Sequence, residues 1–379
     1  MKVEQRIWTK TKGWSLQSGP DIQDRVQLVI LFGATDIMKE QSFFPDVKKM
    51  YPQAHLLGCS TAGEISGTNV FDDSLVVTAV YFEKTQIRGG QISIEENSSS
   101  LEAGKRLAQT LPHEGLRHVF ILSDGLCING SELVSGLGAN LPAGVTITGG
   151  LAGNGEKFEE TYVFWDDPPS KNTLAIVGFY GDALKIGYGS MGGWDPFGPE
   201  RLITKSAGNL LYELDGQCAL DIYKKYLGEH AQGLPATGLL FPLSIRTKSG
   251  ETGIVRTILG VNEKERSMTF AGDLPQGAYA RFMKANFERL IDGASEAAVR
   301  GRERLGGSTP ELAILISCVG RKLVLKQRTE EEVEAVRDVL GGSPILAGFY
   351  SYGEISPFMS EGPCALHNQT MTVTTFAEG

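Results

Sequence analysis

The chain has 379 residues, of which 41% are hydrophobic and 21% are charged, and its formal net charge is −9. This length predicts two or three domains of roughly 100–200 residues each, and the composition excludes a disordered or collagen-like chain. The negative charge argues against binding to nucleic acid or to anionic lipid, and it is compatible with a protein partner that has a basic surface.

The cysteine pattern and the lack of long apolar segments indicate a cellular location. The five cysteines are odd in number and none stands in a CxxC pair, which favours a reducing compartment over disulfides or a zinc ribbon. Residues 1–14 lack the apolar stretch of a signal peptide, and no apolar run approaches the about 20 residues of a membrane span. The sequence therefore predicts a soluble cytoplasmic protein with no membrane contact.

The first half alternates short apolar runs with helical patterns. The run VQLVILF at 26–32 is typical of a strand that is buried on both faces. Further strands are predicted at 54–57, 75–82, 87–94, 118–122, 145–148, 161–165, 174–179 and 184–189, and an extended segment at 201–214. Helices are predicted at 43–50, after a Ser98–Ser100 N-cap, at 131–141 and at 218–227.

The second half repeats this alternation after a glycine-rich segment. Residues 228–238 hold three glycines and one proline, so we place a domain boundary there, between a domain at 25–227 and a domain at 228–379. Strands are predicted at 239–245, 254–259, 266–270, 312–316 and 366–376, and helices at 278–305 and 330–340. The order predicts an α/β (α+β) fold of two related domains with mixed β-sheets and covering helices.

A nine-residue loop occurs twice in the chain. Gly58–Ser66 and Gly348–Ser356 are identical at five positions, including the Gly-Glu-Ile-Ser end, and each follows a strand–helix–strand pattern. The segment Gly149–Gly155 resembles a third, weaker copy, with Asn154 in place of the glutamate. Loops that leave the same end of repeated strands favour a ligand site between the halves.

The repeated loops supply most of the candidate ligand-binding residues. These are Cys59, Ser60, Thr61, Gly63 and Glu64 in the first copy and Ser351, Gly353 and Glu354 in the second. The two glutamates could bind a ligand's ammonium group or a metal, or they could accept hydrogen bonds from their own loops. The residues favour the second role, because buried carboxylates normally satisfy backbone donors.

Catalytic chemistry has weak support in the sequence. A nucleophile elbow requires GxSxG, whereas the Ser351 loop is one residue too long and Ser60 has Ala62 in place of the second glycine. Cys59 could act as a thiolate nucleophile beside a histidine, but no sequence pattern supplies that histidine. We therefore predict no catalytic residues and keep an enzyme that depends on Cys59 or a glutamate as the last alternative.

His367 is the histidine with a candidate ligand role. Alternation along the last strand places it on one face with Gln369, Met371 and Val373. A histidine on a partly apolar face is either a satisfied core residue or an axial ligand, and the pattern alone favours the core.

Several of these segments together resemble the FIST family of bacterial sensory proteins, over roughly residues 25–376. The segments that carry the resemblance are 58–65, 149–155, 193–199, 212–216, 317–321, 348–357 and 366–373. FIST domains were proposed to bind small ligands, amino acids among them, and are often fused to signalling modules. This chain resembles a stand-alone FIST protein.

The resemblance has specific implications for the function. Stand-alone FIST proteins include nitric-oxide-sensing haem proteins of the NosP type, which act on a separate histidine kinase. Similarity to these proteins implies that His367, followed by Asn368 in the HNQT segment, carries haem iron. The leading prediction is thus a haem-dependent nitric oxide sensor for a kinase. The alternative is a sensor of the same fold that binds an amino acid or another metabolite.

Overall fold

The computed structural model describes residues 1–95, 99–247, 253–357 and 362–379. The strands, in chain order, are β1 (Lys2–Thr9), β2 (Gly13–Ser18), β3 (Leu28–Ala34), β4 (His55–Thr61), β5 (Glu64–Ser66), β6 (Asn69–Phe71), β7 (Ser74–Tyr81), β8 (Gln86–Ser93), β9 (Leu116–Ser123), β10 (Thr146–Leu151), β11 (Val163–Trp165), β12 (Thr173–Tyr180), β13 (Leu184–Met191), β14 (Trp194–Ala207), β15 (Leu210–Leu214), β16 (Gln217–Cys218), β17 (Leu243–Arg246), β18 (Ile254–Arg256), β19 (Ile258–Asn262), β20 (Ser267–Phe270), β21 (Tyr279–Ala285), β22 (Leu312–Cys318), β23 (Ile345–Ser351), β24 (Gly353–Pro357), β25 (Cys364–His367) and β26 (Met371–Glu378).

Helices cover the sheets. They are α1 (Thr35–Glu40), α2 (Phe43–Met50), α3 (Ser100–Ala108), α4 (Gly130–Asn140), α5 (Ala219–Leu227), α6 (Phe287–Glu303), α7 (Val319–Leu325) and α8 (Thr329–Leu340). The Ser99 side chain caps α3 by accepting the amide N–H of Glu102, while Ser98 lies outside the described residues. Within the described residues, no helix combines the length and the apolar character that a membrane crossing needs.

The strand–helix–strand unit occurs three times in the described chain. In each unit two strands pair in parallel and a third joins them antiparallel: β3, β4 and β7; β9, β10 and β12; β22, β23 and β26. The weaker copy of the glycine loop, at 149–155, thus lies at the end of the second parallel strand of a complete unit, as the other two copies do. The predicted fold class, with mixed sheets and a repeated unit that ends in a glycine loop, is confirmed.

The three units exchange strands in a ring. The strand that follows each glycine loop leaves its own unit and pairs with the second parallel strand of another: β5 with β23, β24 with β10 and β11 with β4. Each unit thereby becomes part of a six-stranded sheet that contains a strand from a neighbouring unit. This exchange brings the three glycine loops to the centre of the ring.

Apolar strands with both faces buried hold the ring together. On β3, Leu28, Ile30 and Phe32 point into a central core that also contains side chains from the other two sheets. The alternate residues Val29 and Leu31 point outward and pack under α1 and α2. Both faces are therefore apolar, which explains the continuous hydrophobic run in the sequence.

A separate domain, which we call the inserted domain (residues 194–285), lies between the second and third units. Its strands β14–β21 form an eight-stranded sheet with its own hydrophobic core around Ile203, Tyr223 and Phe282. The predicted division between residues 227 and 228 falls inside this domain, and side chains from both sides of it pack in the same core.

The predicted helix at 278–305 is wrong in its first third. Residues Tyr279–Ala285 form β21, which pairs with both β14 and β17, and α6 begins only at Phe287. The Asn286 side chain caps this helix by accepting the amide N–H of Arg289. The apolar residues at 280, 282 and 283 follow a strand's pairing with its neighbours, so tertiary contacts override the helical spacing.

Candidate functional site

Hydrogen bonds join the three glycine loops at the centre of the ring. The amide of Ala62 donates to the carbonyl of Tyr350 at 2.8 Å, the amide of Tyr352 to Leu151 at 3.2 Å, and the amide of Gly153 to Ser60 at 2.9 Å. Each loop thus donates to the next unit. Because the carboxyl ends of all three parallel strand pairs lie here, this is the place where an α/β fold commonly binds a ligand.

A cleft opens on one side of this centre. It consists of two adjoining cavities of about 140 and 390 Å³, which share Ala62, Asp72, Gly155 and Glu156 in their walls. The smaller cavity is lined by the first glycine loop and by residues 154–157, and the larger one by α7 and the residues that follow it. All three units therefore contribute to the cleft.

The two parts of the cleft differ in charge. The smaller cavity is lined by four carboxylates besides Glu64, and by one lysine: Asp36, Asp72, Asp73, Glu156 and Lys157. The larger cavity adds Lys322 and Lys326. The Lys322 ammonium donates to the Ala62 carbonyl at 2.9 Å, forms an ion pair with Asp72, and lies 5.6 Å from the centre of the Tyr350 ring.

Asn154 supplies a polar atom without a partner at the cleft. It lines the smaller cavity and is 6% exposed, and its Oδ1 has no hydrogen-bond partner among the described residues. A buried amide oxygen without a donor is unfavourable by roughly 1–3 kcal/mol. A ligand N–H or O–H group that reached this oxygen would remove this cost.

Hydrogen bonds within the protein hold Glu64, although most of them come from Ser74, outside its loop. Its carboxylate accepts hydrogen bonds from the Thr61 hydroxyl and from the amide and hydroxyl of Ser74, the last at 2.7 Å. Burial raises the pKa of Glu64 to about 7, against the opposing effect of these donors. Thr61, Gly63 and Glu64 all line the cleft.

Gly63 needs to be glycine for two reasons. Its φ is +134°, and a Cβ atom would lie 2.4 Å from the Lys322 ammonium. The glycine therefore allows Lys322 to reach the first loop. The Ser60 hydroxyl is buried and donates to the Gly153 carbonyl at 2.8 Å, so it connects two loops and does not face the cleft.

The second loop repeats the same local structure elsewhere. Glu354 accepts the Ser351 hydroxyl at 2.7 Å and the Thr370 hydroxyl at 2.9 Å, and burial raises its pKa to about 8. Gly353 packs against Leu151 and Leu366. The two loops lie side by side, with the amide of Tyr350 donating to the carbonyl of Gly63 at 2.8 Å. None of Ser351, Gly353 or Glu354 lines the cleft, so a ligand-binding role for these three residues stays a prediction.

In the second unit, the equivalent buried carboxylate does not come from the glycine loop. Asp124, at the end of β9, accepts the Thr161 hydroxyl at 2.8 Å and the amide of Asn172 at 3.2 Å. Residues 172 and 173 lead into β12, as Ser74 leads into β7. A buried acid therefore fixes the start of the antiparallel strand in each unit, which leaves Asn154 available to the cleft.

Cys59 does not contact the cleft. Strand alternation turns its side chain into the central core beside Phe32 and Leu57, where it is fully buried. Burial, with the nearby Glu64 carboxylate, raises the pKa of the thiol well above its usual value. Cys59 is therefore neither a ligand-binding residue nor a thiolate nucleophile in this structure.

The burial of Cys59 gives the first testable prediction. In the native protein, 5,5′-dithiobis(2-nitrobenzoate) should modify the exposed Cys127 and leave Cys59 unmodified until urea unfolds the chain. Peptide mapping by mass spectrometry identifies the modified cysteine. Rapid modification of Cys59 without denaturant would contradict its position in the core.

His367 and Asn368 lie outside the cleft as well. The His367 ring is 2% exposed, its Nε2 is 2.9 Å from the Ser356 carbonyl, and burial lowers its pKa to about 4. The Asn368 amide donates to the Tyr352 carbonyl at 3.5 Å, and its Oδ1 has no partner among the described residues. These contacts make His367 a buried structural residue.

A haem does not fit these residues. The iron would have to approach an imidazole nitrogen through an apolar slot wide enough for the macrocycle. His367 does not line the cavities of about 140, 240, 390, 510 and 720 Å³ in the described structure, and its Nε2 lies beside the Ser356 carbonyl. Among the described residues, no cluster of three or more histidine, cysteine or acidic side chains is arranged to hold a metal ion.

Sequence reasoning missed Lys322 and the acidic residues at 36, 72 and 73. Two of them could have been identified from their positions relative to the predicted strands. Lys322 follows β22 and Asp36 follows β3, each just beyond the carboxyl end of the first parallel strand in its unit. A larger cavity of about 720 Å³ lies near the starts of β22 and β23, around Glu311 and Ile345, and none of the predicted site residues lines it.

The fold and the cleft together define a mixed α/β protein with a small polar cavity at the carboxyl ends of repeated strands. The FIST N domain family matches residues 27–217 and the FIST C domain family matches residues 219–357. The chain belongs to the FIST family. FIST domains are small-ligand sensory domains rather than catalytic ones.

Relatives and solved structures add little about the ligand. An uncharacterized protein of Mycobacterium tuberculosis is 24% identical over 333 residues, which cover 86% of this chain and 84% of the relative. An uncharacterized protein of Methanocaldococcus jannaschii is 24% identical over 356 residues, which cover 86% of this chain and 65% of the relative. A crystal structure of a cyanuric acid hydrolase from A. caulinodans is similar over 93% of this chain and 90% of its own, but only at 10% identity and a TM-score of 0.30, so it carries no argument.

Proposed function

We propose that this chain is a sensor that binds an amino acid, or a metabolite with similar charges, in the cleft. The observation that carries the proposal is that Asn154, a residue that lines the smaller cavity, has a buried Oδ1 with no donor among the described residues. An ammonium group offers several N–H donors to such an oxygen. The carboxylates around it would favour a cation at the same place.

The larger cavity suits the other end of such a ligand. Lys322 and Lys326 present ammonium groups there, beside the apolar side chains of Val319 and Leu323. A carboxylate on the ligand would pair with these lysines. The acidic smaller cavity and the two lysines of the larger cavity together suit a zwitterion.

The proposal predicts that Asn154 contributes to ligand affinity. Some L-amino acids at millimolar concentration should raise the melting temperature of the parent protein by a few degrees, because a ligand that binds only the folded state stabilises it. Asn154→Ala should reduce that shift several-fold. Asn140→Ala is the control, because Asn140 donates to Gly136 at the end of α4, away from the cleft.

Two results would count against this function. A complete panel of L-amino acids that gives no thermal shift would exclude the amino-acid class. A shift that Asn154→Ala and Asn140→Ala leave equally intact would show that the ligand binds elsewhere.

Haem-dependent sensing of nitric oxide stays a prediction from family resemblance. From the burial of His367, we expect that added haemin gives no Soret band that depends on this residue. Absorption spectra of the parent and of His367→Ala, recorded during a haemin titration, test this. A shifted Soret band in the parent that is lost in His367→Ala would restore the haem function.

The signalling output forms part of the proposal. The family's sensory role requires a partner that reads the ligand state, and family resemblance points to a separate histidine kinase. The net charge of −9 is suited to a partner with a basic surface. Cys59, Cys218, Cys318 and Cys364 carry no disulfide, which is consistent with a cytoplasmic location.

A further inference from the structure

Three consecutive residues of α7 contact three different parts of the molecule. Gly320 packs against the Gln369 side chain so closely that a Cβ atom would lie 2.4 Å from the amide nitrogen. Arg321 points into the protein interior, with no side-chain exposure. Lys322 points into the cleft and contacts Ala62 and Asp72. The helix therefore stands between the cleft and the interior.

Arg321 holds both connections to the inserted domain. Its guanidinium donates to the carbonyl of Gly192 at 3.1 Å, directly before the chain enters that domain. It also donates to the carbonyl of Leu290 at 2.7 Å, directly after the chain returns. The two connections touch each other as well, because a Cβ atom on Gly293 would lie 1.9 Å from the Gly192 carbonyl.

Further apolar and polar contacts join α7 and its surroundings to the inserted domain and its two connections. Val324 and Leu325 of α7 form a small cluster with Trp194, Met283 and Leu290, which belong to the inserted domain and its connections. A further chain of hydrogen bonds runs through Gln369: the Trp194 indole donates to its carbonyl at 3.1 Å, and its side-chain amide donates to the Leu239 carbonyl at 3.0 Å. The inserted domain is thus attached to the ring around α7, and a second set of hydrogen bonds joins its Arg256 and Asp273 to Ser131 at the start of α4.

Tyr350 links the cleft to Arg321. Its ring lies beneath the Lys322 ammonium, at 5.6 Å. Its hydroxyl donates to Glu332 at 2.7 Å, and the other oxygen of the Glu332 carboxylate accepts Arg321 at 2.7 Å. A continuous set of contacts therefore runs from Lys322 through Tyr350 and Glu332 to Arg321 and the two connections.

We propose that α7 couples the cleft to the inserted domain, so that a ligand in the cleft alters how this domain is held against the ring. The ligand part of this inference rests on the proposed function. A carboxylate in the larger cavity would compete with Ala62 and Asp72 for the Lys322 ammonium. It would therefore change the contact between this ammonium and the Tyr350 ring. Ligand binding at the cleft can alter the inserted domain only through contacts that differ between the ligand-free and the ligand-bound protein. The contacts from Lys322 through Tyr350 and Glu332 to Arg321 connect the two places.

Amide hydrogen exchange on the full chain tests the coupling without a ligand. Lys322→Met removes the cleft contacts of this partly exposed side chain and should speed exchange about threefold at residues 192–197 and 286–292. Lys326→Met is the matched control, since Lys326 lines the same cavity but its ammonium forms no hydrogen bond or ion pair with the described residues. It should leave both segments unchanged.

A second variant tests the route. Tyr350→Phe keeps the ring and removes only the hydroxyl that joins it to Glu332. In this background, Lys322→Met should speed exchange at the two segments by less than half as much as in the parent. An equal effect in both backgrounds would exclude Tyr350 as the link and overturn the route as stated.

The coupling and the ligand site can fail separately. If Lys322→Met changes exchange only at residues 61–73, the coupling is overturned, while an amino-acid thermal shift would still support the cleft. If the connections respond but no amino acid stabilises the protein, the proposed ligand class fails and the coupling stands.

Discussion

An Arg321→Met variant is expected to unfold with a free energy about 3–5 kcal/mol below that of the parent. Arg321 and Glu332 are both without side-chain exposure and pair at 2.7 Å. Removing the guanidinium leaves a buried carboxylate without its cation and frees the carbonyls of Gly192 and Leu290. Methionine is long enough to fill much of the space, so the loss reflects the charge and the hydrogen bonds more than a cavity. Urea denaturation followed by circular dichroism measures the difference.

Arg328→Met is the control for this prediction. Arg328 pairs with Glu331 and Glu288 at the surface, where water screens both partners, and its removal should cost little. Arg321→Lys tests the geometry, because a lysine keeps the charge but cannot reach a carboxylate and two carbonyls at once. A loss in Arg321→Met no larger than in Arg328→Met would mean that the buried pair does not stabilise the junction.

The sequence predicted the units of the fold better than their arrangement. The apolar runs of β3 and β7 identify strands because burial on both faces leaves a visible pattern. The exchange of β5, β11 and β24 leaves no such pattern, since these strands have three to five residues each and pair far along the chain. The ring, and with it the cleft, follows from these pairings.

The repeated loops illustrate both the value and the limit of a motif. The nine-residue repeat correctly marks equivalent strand ends, and the preference for a structural role at Glu64 and Glu354 agrees with the hydrogen bonds around both carboxylates. The repeat did not distinguish which copy lines a cavity, because that depends on the neighbouring unit. Beside the first loop stands Lys322 of the third unit, whereas Gly353 of the second loop meets two leucine side chains.

The parent should lose folding stability as the pH rises, and Glu354→Gln should prevent much of this loss. Burial raises the pKa of Glu354 in the folded protein from about 4.5 to about 8, so the folded state holds a proton that the unfolded chain releases. Folding stability from this residue is therefore fully present below about pH 4.5 and is lost as the pH rises toward 8. Glutamine imitates the protonated acid: its oxygen can accept the amide of Thr370 while its nitrogen donates to Ser351.

Urea titrations of the parent and of Glu354→Gln at pH 5, 7 and 9 measure this difference. The two proteins should be similar at pH 5, and the variant should gain on the parent by an amount on the order of 4 kcal/mol by pH 9. Glu378→Gln is the control of opposite sign. Although Glu378 is largely buried, hydrogen bonds from Thr85 and from the amides of residues 83–85 lower its pKa to about 2, so its carboxylate stabilises the fold at neutral pH and that variant should lose stability there. A constant difference between Glu354→Gln and the parent from pH 5 to pH 9 would mean that Glu354 is already ionised in the folded protein at pH 5, and that the hydrogen bonds from Ser351 and Thr370 outweigh its burial.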